Sequence, residues 1–314
     1  QNILSNKKVI AVSGTHGKTT VTSMIAHTLI NNNFDPNYLI AGIPKKLEKS
    51  WNISNDEVFV IEADEYDTCY FDKRPKFFHY RPNILLINNI EFDHADIYEN
   101  IEMIEKNFFE LIKTMPSKSK VLINEKKVSK SFRNKLKKEK LKTTLQFLSL
   151  NTSNIHEENK LLAAHAIEDL ISKEKVLNGL KDYTGVKRRF EIIFNDKNFK
   201  LIDDFAHHPT AIEETIKMIR EQTDNLTLIV ELGSNSMKRG VHDKRLVDIF
   251  KNQETYTINA SAEQEKIFSV HAKELTNDDI VKICSKDEKK KTILMCGNRN
   301  FHGFQKLILN QLIK

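Results

Sequence analysis

The stretch Val9-Ile-Ala-Val-Ser-Gly-Thr-His-Gly-Lys-Thr-Thr20 decides the fold. Val9, Ile10 and Val12 form a short β-branched apolar run, as a central strand of a parallel sheet requires. Ser13 to Gly17 supply turn chemistry, and beyond Thr20 the residues Val21, Met24, Ile25, Thr28 and Leu29 recur at helical spacing. A strand, a tight loop and a helix in this order leave the first helical N–H groups converging on one spot. With the helix dipole they make a socket for phosphate. Lys18 adds a point charge for β- and γ-phosphates, and Thr19 offers a hydroxyl to Mg2+. The usual P-loop has a glycine where this chain has Val12. An ordinary strand-to-helix turn is the plain alternative. Gly17-Lys-Thr-Thr20 in this context favours nucleotide binding and by itself specifies nothing finer.

Working outward, 314 residues are enough for two domains. A hydrophobic content of 39% with 18 Phe can build their cores. The net charge of +6 fits an enzyme of anionic substrates and does not require nucleic acid. Much of the excess lies between Lys126 and Lys142, which reads as a solvated helix or mobile insertion. No aromatic residues interleave those charges, as a nucleic-acid groove would want. Cys69, Cys284 and Cys296 match no metal or disulfide spacing, so a cytoplasmic protein is expected. No stretch has transmembrane length, and none reads as a signal peptide. The chain opens on Gln1 rather than Met, with a strand almost at once, so a further N-terminal segment is expected.

Further strands are expected at Glu57–Glu62, Ile84–Asn88, Phe199–Asp203, Leu226–Leu232 and Ile293–Cys296, with a short strand and turn over Tyr38–Pro44. Helices are expected at Ile101–Met115, over Leu161–Leu180 as one or two, and at Pro209–Glu221. A last helix carries Phe304, Leu307, Ile308 and Leu312 on one side. Strand–helix alternation of this kind implies an α/β fold with a doubly wound, mostly parallel sheet. A domain boundary is expected near Gly185. Ligands of such sheets sit beyond the C-terminal strand ends. There Glu62-Ala-Asp-Glu-Tyr-Asp67 offers hard oxygen ligands for Mg2+, and Asp93-His94 a candidate metal or water ligand. The plain readings are a solvated acidic turn and a structural histidine. Asp203-Asp-Phe-Ala-His-His-Pro-Thr210 is denser in polar groups than a helix cap needs. Arg188 and Arg189 could reach phosphates as bidentate donors, with a surface pair in a linker as the alternative.

Five motifs together resemble the Mur ligases: Ser13-Gly-Thr-His-Gly-Lys-Thr-Thr20, Glu62-Ala-Asp-Glu-Tyr-Asp67, Asn88-Asn-Ile-Glu-Phe-Asp-His-Ala-Asp96, Lys187-Arg-Arg-Phe-Glu191 and Asp203-Asp-Phe-Ala-His-His-Pro-Thr210. The run from Glu62 to Pro82, and Ser234-Asn-Ser-Met-Lys-Arg-Gly240, are similar to the murein-tripeptide branch of that family. The resemblance implies a central P-loop domain over 1–185 and a smaller Rossmann-like C-terminal domain over 186–314. It implies ATP-dependent amide ligation of murein tripeptide to UDP-N-acetylmuramate through an acyl phosphate, in peptidoglycan recycling. It implies ATP contacts at Gly14, Thr15, His16, Gly17, Lys18, Thr19, Thr20, Asn89 (to the base), Arg189 and Asp204. Thr19 and Glu62 would bind Mg2+, and His94 a second Mg2+. Lys18, His94, His207 and His208 would act on the reacting groups, the last two near the incoming amine or the acyl phosphate.

The chain departs from the family pattern in four ways. The N-terminal UDP-binding domain is not part of it. The family's His-Asn-x-x-Asn survives loosely as Ile155-His-Glu-Glu-Asn159, after a short and lysine-rich Ser117–Glu158 stretch. Glu-Pro-Arg-Ser-Asn is here Glu231-Leu-Gly-Ser-Asn235, with Gly233 in place of arginine. The glycine-rich run near the end is Cys296-Gly-Asn-Arg-Asn-Phe-His-Gly303. Two other readings stand beside the tripeptide ligase: an L-alanine-adding ligase, and a nucleotide-binding module that no longer ligates. A folylpolyglutamate-type ligase fits the Phe71–Pro82 run less well.

Overall fold

The computed structural model describes residues 3–152 and 154–314. Gln1, to which the expectation of a preceding segment was attached, lies outside them. The chain divides into two compact units, Gln1–Lys187 and Arg188–Lys314.

The first unit runs β1 (Lys8–Ser13), α1 (Lys18–Asn31), β2 (Asn37–Leu39), β3 (Trp51–Asn52), β4 (Val58–Glu62), β5 (Asp67–Cys69), β6 (Asp72–Pro75), β7 (Ile84–Ile87), α2 (Ile101–Thr114), β8 (Lys120–Asn124), α3 (Lys130–Lys138), β9 (Thr144–Leu148), α4 (Ile155–Ala166) and α5 (Lys173–Gly179). Its seven-stranded sheet has the order β3-β2-β4-β1-β7-β8-β9. Every pairing in it is parallel except β2 with β3 at one edge. Strand geometry sends alternate side chains to opposite faces. Ile10 and Val12 of β1 therefore pack with α1, α4 and α5, while Val9 and Ala11 pack with α2 and α3. Burial on both faces explains why these strands read as unbroken apolar runs. α1 is covered almost all round, with Val21, Met24, Ile25 and Leu29 fully buried.

The lysine-rich stretch is ordered. Ser129 caps α3 by accepting from the Phe132 amide at 3.0 Å. Phe132 and Leu136, four apart on one face, are buried. The Lys135 and Lys137 ammonium groups lie 4.1 Å and 4.8 Å from the ring centres of Phe109 and Phe147. β8 and β9, absent from the sequence expectations, flank the run on either side. The helix expected from Leu161 begins earlier, at Ile155, because Asn154 caps it by accepting from the His156 amide.

The second unit runs β10 (Glu191–Asn195), β11 (Phe199–Asp204), α6 (Pro209–Arg220), β12 (Leu226–Glu231), α7 (Asn235–Lys238), α8 (Asp243–Phe250), β13 (Glu254–Ile258), α9 (Ala262–Phe268), β14 (Lys273–Glu274), α10 (Asn277–Ile283), β15 (Lys291–Cys296) and α11 (Phe304–Leu312). Its sheet order is β10-β11-β15-β12-β13-β14, parallel apart from the β10 edge. α6, α8 and α9 cover one face and α10 and α11 the other. In α11 the pattern expectation fails at one place: Leu307 is 46% exposed, while Ile308 and Leu312 are buried. No described helix is long and apolar enough to cross a membrane.

Candidate active site

The neighbouring strands β4, β1 and β7 end side by side, so the segments that follow them converge. The loop between β1 and α1 is clamped by the segment after β7. Asn89 Oδ1 accepts from the His16 amide at 2.8 Å, and its Nδ2 donates to the His16 carbonyl at 3.0 Å. Asn88 Nδ2 donates to the same carbonyl at 2.9 Å. Thr15 Oγ1 accepts from the Glu91 amide at 2.9 Å. Gly17 takes φ +80°, and a Cβ there would lie 2.4 Å from Asn88 Nδ2, so only glycine fits. Asn89 was expected at a nucleotide base. Its amide bonds both ends of the His16 peptide, so it also clamps the loop.

Lys18 and Thr19 open α1 and face the acidic end of β4. Lys18 Nζ sits 3.0 Å from Glu65 Oε2, and Glu65 Oε1 sits 3.3 Å from His94 Nε2. Burial alone would push the Lys18 pKa down. Glu65, Asp64 and Glu62 outweigh it, and Lys18 is held firmly protonated. Burial likewise opposes the charged forms of Glu65 and His94; the Lys18 charge and then the His94 contact reverse it at Glu65, and the Glu65 contact reverses it at His94. With Lys18 adding its charge, the Glu65 carboxyl is held well below the usual range. The His94 imidazole is raised by Glu65. His94 is fixed from its other side by the Tyr66 ring, edge-on at 4.3 Å, and Tyr66 OH donates to Asp96 at 2.9 Å. Tyr98 OH donates to the Glu65 carbonyl at 2.6 Å.

Thr19 Oγ1 donates to Glu62 Oε1 at 2.9 Å, and the Ala41 amide holds Glu62 Oε2 at 2.9 Å. Two adjacent oxygen ligands of octahedral Mg2+ stand about 3 Å apart, so this pair has the chemistry and spacing for that ion. Asp64, Glu65 and His94 present ligand atoms within 4.8 Å of one another, two hard carboxylates and one borderline imidazole. Glu65 was not singled out from the sequence, although it stands in the quoted acidic motif. Asn88 and Asn159 were missed as well. Both keep a buried side-chain oxygen with no hydrogen-bond partner, and Asn159 Oδ1 lies 3.2 Å from where a Gly17 Cβ would be.

In the second unit the predicted residues gather at the end of β11. Asp204 accepts from the Phe190 and Ala206 amides at 2.8 Å and 2.7 Å. Burial raises its pKa, and those bonds with the Arg189 charge offset only part of that. One oxygen thus pins the turn that carries Arg189 and the other the turn that follows Asp204 itself; the Arg189 guanidinium lies 4.4 Å from the Phe205 ring centre. Arg188, expected to reach phosphate, is committed to Asp203 at 3.2 Å and the Gly297 carbonyl at 2.9 Å. His207 Nδ1 donates to the Phe205 carbonyl, while His208 caps α6 and packs edge-on against His242 at 4.6 Å. The loop after β15 hangs on a fully buried glutamate. Glu231 Oε2 and Oε1 accept from the Arg299 and Phe301 amides at 3.0 Å and 3.1 Å. Arg299 Nε donates to the Gly233 carbonyl, and its side chain passes through the space that a larger residue at 233 would take.

Residues 12–176 match the Mur ligase middle domain, and residues 188–299 match the "Mur ligase, glutamate ligase domain". The chain belongs to the Mur ligase family. It is 33% identical over 282 residues to the UDP-N-acetylmuramate–L-alanyl-γ-D-glutamyl-meso-2,6-diaminoheptandioate ligase of Haemophilus influenzae, covering 77% of this chain and 60% of that one. It is 29% identical over 303 residues to the UDP-N-acetylmuramate–L-alanine ligase of Aquifex aeolicus, covering 82% and 65%. The crystal structure of a murein peptide ligase from Psychrobacter arcticus aligns with a TM-score of 0.71 at 27% identity, covering 98% of this chain and 78% of that one. The chain thus spans about three fifths of the length of the first two tripeptide-ligase relatives it matches.

Proposed function

We propose that the chain is the nucleotide- and amine-handling part of an ATP-dependent ligase that joins murein tripeptide to UDP-N-acetylmuramate. The observation that carries this reading is the junction of Lys18, Glu65 and His94 beside Thr19 and Glu62. It sets a cation, two ligand sets and a clamped phosphate loop at the ends of adjacent strands. In the reaction, a carboxylate oxygen of the muramyl lactyl group attacks the γ-phosphorus of ATP and the bond to ADP breaks. The amine of the tripeptide then attacks the acyl carbon and loses a proton, and phosphate leaves as the amide forms. Such a transfer needs alignment and charge neutralisation more than covalent help from the protein. Lys18 and the loop amides hold the phosphates. Mg2+ on Thr19 and Glu62, with a second ion on His94 and Glu65, would supply further neutralisation at the γ-phosphate. Arg189, placed by Asp204, contacts the nucleotide, and His207 and His208 serve the amine or the acyl phosphate.

The tripeptide is preferred to L-alanine because the Glu62–Pro82 and Ser234–Gly240 runs resemble the tripeptide branch. The first relatives compared also carry that name. Release of phosphate from ATP, measured with UDP-N-acetylmuramate and either amine, tests the choice. Tripeptide-dependent release supports it. Release with L-alanine alone moves the assignment to the alanine-adding enzyme, and no amine dependence leaves a nucleotide-binding module.

A further inference from the structure

The turn after β2 is held at both ends. At one end the Ala41 amide donates to Glu62 Oε2, whose other oxygen faces Thr19 Oγ1. At the other end the turn pairs with the segment leading out of the first unit. Lys187 N donates to the Ile43 carbonyl at 2.9 Å, Lys45 N donates to the Gly185 carbonyl at 3.0 Å, and Pro44 bridges Val186 antiparallel. Gly42 sits between the two ends. A Cβ on it would lie 2.7 Å from Val186 Cγ1 and 2.9 Å from Thr19 Cγ2. Thr19 and Val186 are 2% and 1% exposed, so neither has open space to retreat into. The outgoing segment is tied to α1 as well, through Asp182 to His27 Nε2 at 3.1 Å and through Tyr183 to Ser23.

We propose that Ala41–Lys46 is a positioning clip that couples Mg2+–nucleotide binding at Thr19 and Glu62 to the segment Asp182–Lys187, with Gly42 as its contact point. This rests on the nucleotide and metal reading above. An ion on Thr19 and Glu62 demands a fixed separation between their oxygens. Glu62 keeps its second oxygen on the Ala41 amide, so fixing Glu62 fixes the turn. Close contacts between Thr19, Gly42 and Val186 pass displacement on instead of absorbing it. Ala41 and Gly42 touch no reacting atom. They act through Glu62 and Thr19 on one side and Val186 on the other.

Amide hydrogen exchange in the whole protein tests this with ADP and Mg2+, with ADP and a chelator, and without nucleotide. The Lys45 and Lys187 amides should exchange about tenfold more slowly with ADP and Mg2+ than in either other state. Gly42→Ala should weaken Mg2+-dependent ADP binding by about tenfold, and Gly42→Ala/Val186→Ala should regain part of that loss, because the second change removes the tighter of the two contacts and leaves the one with Thr19. A wild-type protein that binds ADP with Mg2+ while Lys45 and Lys187 exchange unchanged would overturn the clip. So would a Gly42→Ala variant that binds like the wild type, or a double variant no better than the single. A wild-type protein that fails to bind ADP with Mg2+ refutes the site reading itself, and the clip with it.

Discussion

Lys18→Met removes the charge that neutralises Glu65 while keeping an unbranched stem. The two charges are 3.0 Å apart, with the side chains 11% and 2% exposed. At an effective dielectric constant of about 20 their attraction is about 5.5 kcal/mol, before desolvation is subtracted. Removing one partner of a buried pair costs about 3–5 kcal/mol. His94 remains 3.3 Å from Glu65, so the expected loss is at the lower end, about 3 kcal/mol. Adding Glu65→Gln removes the stranded charge and should return about 2 kcal/mol. Trp51, the single tryptophan, lies in the first unit, so urea unfolding followed by its emission reads that unit. The pH dependence has a definite sign. Burial raises the Glu65 pKa, the Lys18 charge is the largest opposing effect, and the net shift is downward. A depressed folded pKa contributes stability above the unfolded carboxyl value, about 4.3, which is lost as pH falls through the folded one. Without Lys18 the folded pKa rises, so the deficit of Lys18→Met should shrink as the pH is lowered toward 4. A variant within about 1 kcal/mol of wild type at pH 7, or a double variant no more stable than the single, would refute this reasoning.

Three further outcomes are expected. Glu65→Gln removes the largest effects that raise His94 and leaves burial and the Lys18 charge, which lower it, opposed only by Asp93, so the His94 imidazole followed by proton NMR should titrate at lower pH than in wild type. In the wild type that raised pKa contributes stability at low pH that is lost as pH rises through it, and the variant should lack this contribution. Gly17→Ala sets a side chain at φ +80° against Asn88, so it should cost about 1–2 kcal/mol in unfolding of the first unit and weaken ADP binding in calorimetry. Glu231→Gln turns one of two acceptor oxygens into a donor facing an amide, so it should cost about 1–3 kcal/mol in the unfolding of the second unit, read by calorimetric scanning.

The strands β1, β4 and β7 were legible because burial on both faces leaves an unbroken apolar run. β8 and β9 were obscured by the lysines around them. α3 carried its signal in Phe132 and Leu136, which a count of charges hides. The site was legible as motifs and less so as roles. Glu62 ends a strand, so its place follows from period-two geometry. Glu65 lies beyond the strand, and its burial depends on Lys18, 47 residues earlier. Asn89 reads as a ligand contact in sequence, and only the folded loop shows its amide closed on His16. Arg188 and Arg189 are adjacent and alike on paper. In the fold Asp203 and Gly297 take the first, and the second stacks on Phe205.

The central claim is amide formation through an acyl phosphate on the Lys18 loop. It is tested most directly with UDP-N-acetylmuramate labelled with oxygen-18 in its carboxylate, incubated with ATP, Mg2+ and murein tripeptide. The account predicts a ligated muramyl tripeptide by mass, with one labelled oxygen carried into the released phosphate for each amide formed. Amide without label in the phosphate, or ATP consumed with no ligated product, would contradict it.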